Sequence, residues 1–114
     1  MPIFGVFMLE SQYQTELVKR LKVLYPGCLV QKSDPDWQQG FPDLILLLAG
    51  GFWALLEVKR SDRALERPNQ RFFVDKGADM CFAAFIYPEN EEEVLRALQF
   101  AYERHGAARV PLAQ

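Results

Sequence analysis

The stretch GFPDLILLLAGGFWALLEVK, residues 40–59, decides the fold. Gly50-Gly51 is a hairpin signal, because glycine enters positive-φ conformations without steric penalty. The apolar run Leu44 to Leu48 before it and Phe52 to Lys59 after it then read as two antiparallel strands. Side chains two apart on a strand share a face, so Glu57 and Lys59 project together while Val58 turns into the core. Phe41 before Pro42 favours extended backbone, and Asp43 opens the first strand of the hairpin. A two-residue turn puts Asp43 roughly opposite Val58, near enough for the Asp43 and Glu57 carboxylates to converge.

Upstream of the hairpin, Tyr13, Leu17, Leu21 and Leu24 recur at helical spacing between Glu10 and Tyr25, and Pro26-Gly27 ends the pattern. Cys28-Leu29-Val30 is a short extended run, followed by a loop at Ser33-Asp34-Pro35-Asp36. Downstream, Ser61 to Pro68 is a polar connection, and Pro68 suits the first turn of a second helix. That helix is expected to run to about Lys76, to stop at Gly77 and to be anchored by Phe72 and Phe73. The apolar run Met80 to Tyr87 predicts a strand covered on both faces. Asn90 is expected to cap a last helix, with Glu91 to Glu93 on its solvated first turn and Gly106 just past its end. The order is helix, three strands, helix, strand, helix, an α/β fold with a central mixed sheet flanked by helices. At 114 residues and 13.2 kDa, residues 1–114 make one domain with one core.

Half the residues are hydrophobic and a quarter charged, a globular composition with no room for a long disordered segment. The run Leu44 to Leu56 falls short of the roughly 20 residues of a membrane helix. Met1 to Leu9 lacks the basic start and cleavage site of a signal peptide, so a cytoplasmic protein is expected. Cys28 and Cys81 sit in apolar stretches at no metal-ligand spacing and read as reduced core residues. Net charge is −2 and the pI about 5.4, without the overall basic footprint of a protein that binds DNA through its backbone alone. Basic residues are nonetheless concentrated at Lys59-Arg60, Arg63, Arg67 and Arg71, following the second hairpin strand.

Two carboxylates with waters and a backbone carbonyl, here that of Val58, form the hard oxygen environment that suits Mg²⁺ or Mn²⁺. Such an ion polarises a phosphoryl oxygen and activates a bound water, and Lys59 beside it is suited to orient that water or to stabilise developing charge. Glu10 lies seven residues before Leu17, on the inward face of the first helix, where a carboxylate needs a partner or a cation. Gln14 follows one turn later on the same face, and Gln70 lies one turn beyond Arg67 on the second helix. These residues, with Arg60, Arg63 and Arg67, are candidates to meet phosphate. The plainer readings are a surface ion pair for Glu57 and Lys59, a dipole-favoured N-terminal carboxylate for Glu10, and a solvated face for the arginines.

Taken together, Glu10-x-x-x-Gln14, Gly40-Phe41-Pro42-Asp43, Glu57-Val58-Lys59 and Asn69-Gln70 resemble the PD-(D/E)XK nuclease superfamily, and within it the small stand-alone VRR-NUC nucleases. The resemblance covers roughly residues 9 to 105. It implies a restriction-endonuclease-like core, Mg²⁺ or Mn²⁺ as cofactor and DNA as substrate. It further implies Glu10, Asp43 and Glu57 as ligands, Lys59 as catalytic lysine and Gln70 as an accessory residue. Small members of this kind resemble Holliday-junction resolvases, which act as homodimers on branched DNA. The acidic pI departs from that pattern. Phe4, Val6, Phe7 and Met8 have no evident place in so small a core and suit either a dimer contact or an extra edge strand. The alternatives are a module of the same fold that binds DNA or protein without cutting, and a nuclease directed to ends or nicks. Digestion of linear, circular and branched substrates separates them.

Overall fold

The computed structural model describes residues 9–109, with side chains to His105. The expectation for Phe4 to Met8 lies outside the described residues. The elements are α1 (Glu10–Leu24), β1 (Leu29–Lys32), β2 (Leu44–Leu48), β3 (Phe52–Val58), α2 (Pro68–Met80), β4 (Phe82–Ile86), a 3₁₀ turn (Pro88–Asn90) and α3 (Glu91–Arg109). They follow the order expected from the sequence. The strands form one mixed sheet in the order β1-β2-β3-β4, antiparallel except for the parallel pair β3-β4. Among the described residues no helix is long and apolar enough to cross a membrane.

The alternation of strand side chains divides the core between two faces. Leu44, Leu46 and Leu48 of β2 join Phe52, Ala54, Leu56 and Val58 of β3 in one buried cluster with Tyr13, Leu17 and Leu21 of α1 and Val94, Leu95 and Leu98 of α3. The opposite face of β3 carries Leu55 and Glu57 and is covered by α2, whose Val74 and Gly77 are buried. β3 is thus covered on both sides. Its side chains from Ala54 to Val58 are all buried, which is how a glutamate comes to lie inside the protein.

Several expectations need correction. Leu48 pairs with Phe52, so the turn is the three residues Ala49, Gly50 and Gly51, and both glycines have positive φ. The register puts Leu44 opposite Leu56, which carries Asp43 opposite Glu57 and not Val58. Gly77 does not stop α2, which continues to Met80. A β-carbon there would stand 2.9 Å from Leu55 Cδ1 and 3.1 Å from Ala83 Cβ, so this glycine permits close helix-on-sheet packing. Phe72 is exposed, and Val74 with the half-buried Phe73 anchors the helix instead. β4 is mostly half-buried, because it is an edge strand.

The ends of the last helix and of α1 also differ from expectation, and Gly106 does not end α3, which runs on to Arg109. Asn90 does not cap α3. Its Oδ1 accepts from the Tyr87 N–H at 2.8 Å and its Nδ2 donates to the Phe85 carbonyl at 3.1 Å, closing the turn after β4. Glu91 is partly buried, accepting from the Tyr13 hydroxyl at 2.6 Å and pairing with Arg20, which also holds Glu92. Burial and the Glu91 carboxylate push the Tyr13 hydroxyl pKa upward. Leu24 is exposed, while the half-buried Tyr25 after it donates to Gln99 Oε1 at 2.8 Å. Both cysteines are free and half-buried.

Candidate functional site

The sequence brings four polar side chains to the end of β3 by three separate routes. Strand alternation turns Glu57 toward α2, and Lys59 follows just beyond the strand, its N–H still donating to the Ile86 carbonyl at 2.9 Å. The hairpin register sets Asp43 across from them, and Asp43 Oδ2 accepts the Val58 N–H at 2.8 Å. Pro68 starts α2 so that Gln70 in its first turn faces the strand end.

Gln70 ties the group together. Its Oε1 accepts from Lys59 Nζ at 2.8 Å and from the Arg67 N–H at 3.0 Å, and its Nε2 donates to Glu57 Oε2 at 3.0 Å. Two donors meeting at one end of the amide and an acceptor at the other determine its orientation. Lys59 Nζ also donates to the Leu65 carbonyl at 2.8 Å and stands 3.8 Å from Glu57 Oε2. Glu57 and Lys59 are only 2 % and 8 % exposed, which excludes an ordinary surface ion pair. Among the described residues every buried side-chain nitrogen and oxygen has a partner.

The electrostatics of the carboxylates are unusual. Burial, followed by the charge of Asp43 and a hydrogen bond to it, pushes Glu57 up to about 8 against the pull of Lys59. A carboxyl group taken out of water beside a second carboxylate holds its proton to a higher pH. Burial raises Glu10 as well, with Asp43 adding to the effect and Lys59 and Arg60 opposing it. Glu10 therefore senses the same cluster from the start of α1. Among the described residues no three Asp, Glu, His or Cys side chains are gathered closely enough to hold a metal ion between them. The oxygen donors are then the Asp43 and Glu57 pair, with Glu10 at the margin. The trans peptide joining Val58 to Lys59 points its N–H at Ile86 on β4, so the Val58 carbonyl faces the β2 side, where Asp43 lies.

A cleft of about 400 Å³ is lined by Glu10, Lys59, Arg60, Ala64, Leu65, Arg67 and Gln70, with Asp43 and Glu57 behind Lys59 and Gln70 and outside the lining. Arg60, Arg63 and Arg67 are exposed, and Arg60 and Arg67 line this cleft while Arg63 does not. Gln14 is half-buried one turn along α1 and also lies outside the lining. Arg71 is committed elsewhere, paired with Glu66 at 2.7 Å and Asp75 at 3.4 Å, its guanidinium 4.5 Å from the Phe85 ring centre.

One contributor escaped the sequence reading, and a second, Asn69, was named there only within a motif piece, without the contact it makes. The Leu65 carbonyl holds Lys59, and a backbone oxygen in a loop leaves no trace in residue type. Asn69 fills the space above Gly40, where a β-carbon would stand 2.5 Å from the Asn69 side chain, and its Nδ2 reaches the Gln39 carbonyl at 3.3 Å. Gly40 also has φ +86, so glycine is required there twice over. The two motif pieces Gly40-Phe41-Pro42-Asp43 and Asn69-Gln70 thus touch each other. Comparison of the chain with protein-family models, with curated proteins and with solved structures finds no match.

Proposed function

We propose that this chain is a Mg²⁺- or Mn²⁺-dependent DNA endonuclease with a PD-(D/E)XK core of the VRR-NUC kind, acting on branched DNA such as four-way junctions. The observation that carries the reading is the buried Glu57 beside the half-buried Asp43, where burial and then the Asp43 charge raise Glu57 to about 8, with Lys59 3.8 Å from the same carboxylate. Structural ion pairs gain nothing from a second carboxylate beside the first, whereas a divalent cation offsets both charges.

The donor chemistry fits Mg²⁺ or Mn²⁺. These are hard cations, and Mg²⁺ is commonly held through one or two carboxylates with several waters retained. Asp43, Glu57 and the Val58 carbonyl would hold the ion, with Glu10 contributing through its charge or through a water. When bound, it would polarise a phosphoryl oxygen and lower the pKa of a water. Lys59, with two of its three N–H bonds committed to Leu65 and Gln70, has one left for a water or a phosphoryl oxygen. Its charge opposes the negative charge that accumulates as the phosphate is attacked. Gln70 keeps Lys59 and Glu57 in register, and Arg60 and Arg67 offer the cleft two guanidinium groups for phosphate.

The test is cleavage of a labelled four-way junction and a matched linear duplex by wild type and Lys59→Ala, in Mg²⁺, Mn²⁺ and EDTA. Wild type is expected to cut only with metal, and the variant to be slower by about 100-fold or more, the scale of losing a group that stabilises transition-state charge. Binding without cutting in either metal would overturn the nuclease reading in favour of a non-cleaving binding module. The ratio of junction to linear cleavage decides the branched-DNA preference.

A further inference from the structure

A second cavity of about 560 Å³, lined by Gln39, Gly40, Arg67, Pro68, Asn69 and Gln70, shares Arg67 and Gln70 with the cleft above Lys59. A third, of about 420 Å³, has Trp37, Gln38, Phe41 and Phe73 among its walls, so that its Gln38 precedes Gln39 of the second cavity and its Phe73 lies one helical turn beyond Asn69. Phe41 lies two residues before Asp43, a reach of at most about 7 Å of chain. These neighbouring cavities outline a track from the cleft above Lys59, past Arg67 and the start of α2, to an aromatic pocket.

The pocket is built as a platform. Phe41 and Phe73 are half-buried and packed edge to face with centroids 5.4 Å apart, and Phe72 packs on Phe73 at 5.1 Å. Trp37 stands beside them 87 % exposed, and among the described residues its ring has no aromatic or hydrogen-bonding partner. Its backbone is nonetheless fixed. The Trp37 and Gln38 N–H groups donate to the Asp34 carbonyl at 3.1 and 3.4 Å, and Asp34 Oδ1 accepts the Asp36 N–H at 2.9 Å, turning that carboxylate into its own loop. A large ring held open to water on an ordered turn, at the end of a track carrying unpaired arginines, suits a flat ligand attached to an anionic chain.

We infer that the Trp37, Phe41 and Phe73 pocket receives an unpaired nucleobase of the DNA strand whose phosphate lies over Asp43 and Glu57. Stacked bases within a duplex cannot present a face to Trp37, whereas a base at a fork, flap or junction can. Lys32 on the pocket wall and Arg67 between pocket and cleft supply positive charge for the phosphates on either side of that base. The pocket thus selects strands with unpaired nucleotides near the point of attack. This inference rests on the nuclease reading above.

The experiment measures binding by fluorescence anisotropy in EDTA, so that cleavage plays no part, for a forked duplex and a blunt duplex of the same length. Wild type, Trp37→Ala and Trp37→Phe are compared, and the fork carries 2-aminopurine at its first unpaired position to report stacking. Trp37 is too exposed for its loss to unfold the chain. Trp37→Ala is expected to lower the fork-to-blunt affinity ratio by roughly 5- to 150-fold, the range of one base stacked on an aromatic ring. Quenching of 2-aminopurine on binding should fall with it, and Trp37→Phe should keep most of both. An unchanged ratio with unchanged quenching in Trp37→Ala overturns the base pocket while leaving the nuclease reading intact. Wild type that binds neither DNA overturns the pocket, and the nuclease reading is then decided separately by cleavage in Mg²⁺ and Mn²⁺.

Discussion

Glu57 concentrates the conflict between stability and function in one side chain. Its folded pKa, about 8, is above the ordinary carboxylate value of 4.5, so between those limits the folded state holds a proton that the unfolded state releases. The contribution of this group to stability is full below about pH 4.5, declines as pH rises toward 8 and is level beyond. At about 1.4 kcal/mol for each unit, the decline amounts to several kcal/mol. Thermal unfolding followed from pH 5 to 9 without metal should show the melting temperature of wild type falling through this window, and that of Glu57→Gln falling much less. Mg²⁺ or Mn²⁺ should raise the wild-type melting temperature most near pH 8, where it replaces the proton, and leave Glu57→Gln almost unmoved. A wild-type curve that is flat from pH 5 to 8 would remove the carboxylate repulsion from the account. Alternation along β3 made the shared face of Glu57 and Lys59 legible from spacing alone. The depth of burial was not, because it depends on α2 closing over that face, and nothing within residues 57–59 announces a helix placed eleven residues later.

Among the elements, those with a strong period or an unambiguous stop were legible, and those whose glycines serve packing were not. α1, the hairpin and the start of α2 at Pro68 stand where the sequence puts them. Gly77 looked like a helix end because glycine usually marks one, yet its role is set by Leu55 and Ala83 on a sheet far away in sequence. Gly40 is the counterpart at the site, since it ties the loop before β2 to the first turn of α2 through Asn69. Gly40→Ala should destabilise the chain by about 1–2 kcal/mol from its positive φ alone, with a further cost from the clash against Asn69. Asn69→Ala in the same chain should remove the clash and leave the φ cost, so the two substitutions should be coupled by about 0.5 kcal/mol or more in a double-mutant cycle of chemical denaturation. Strict additivity would mean that Gly40 and Asn69 do not bear on each other. In that case the direct link between the loop before β2 and α2 would fall to the packing of Phe41 on Phe73.

For the molecule as a whole, a net charge of −2 and a proposed polyanionic substrate are in tension, and the distribution of charge resolves it. Much of the basic charge is already paired: Arg20 is held by Glu91 and Glu92, Arg71 by Glu66 and Asp75, and Lys59 lies near Glu57 inside the site. Arg60, Arg63 and Arg67 are exposed, and none of them is in a salt bridge among the described residues. These three arginines and Lys32 of the aromatic pocket, meeting four phosphates, would release few counterions, so the logarithm of the DNA association constant should fall against the logarithm of salt concentration with a slope of about −3.5. Proteins that hold DNA mainly through its backbone show slopes of about −6 or steeper, since each further phosphate adds about −0.9. Removing Arg67, the guanidinium shared by the cleft and the neighbouring cavity, should make the slope shallower by about 1 and weaken all DNA forms alike. Such weak electrostatic holding leaves discrimination to the local features of the substrate, a base in the aromatic pocket and a phosphate over the carboxylates. A measured slope of −6 or steeper would instead place most of the binding on basic surface away from this cleft, and the acidic overall charge would then need a different explanation.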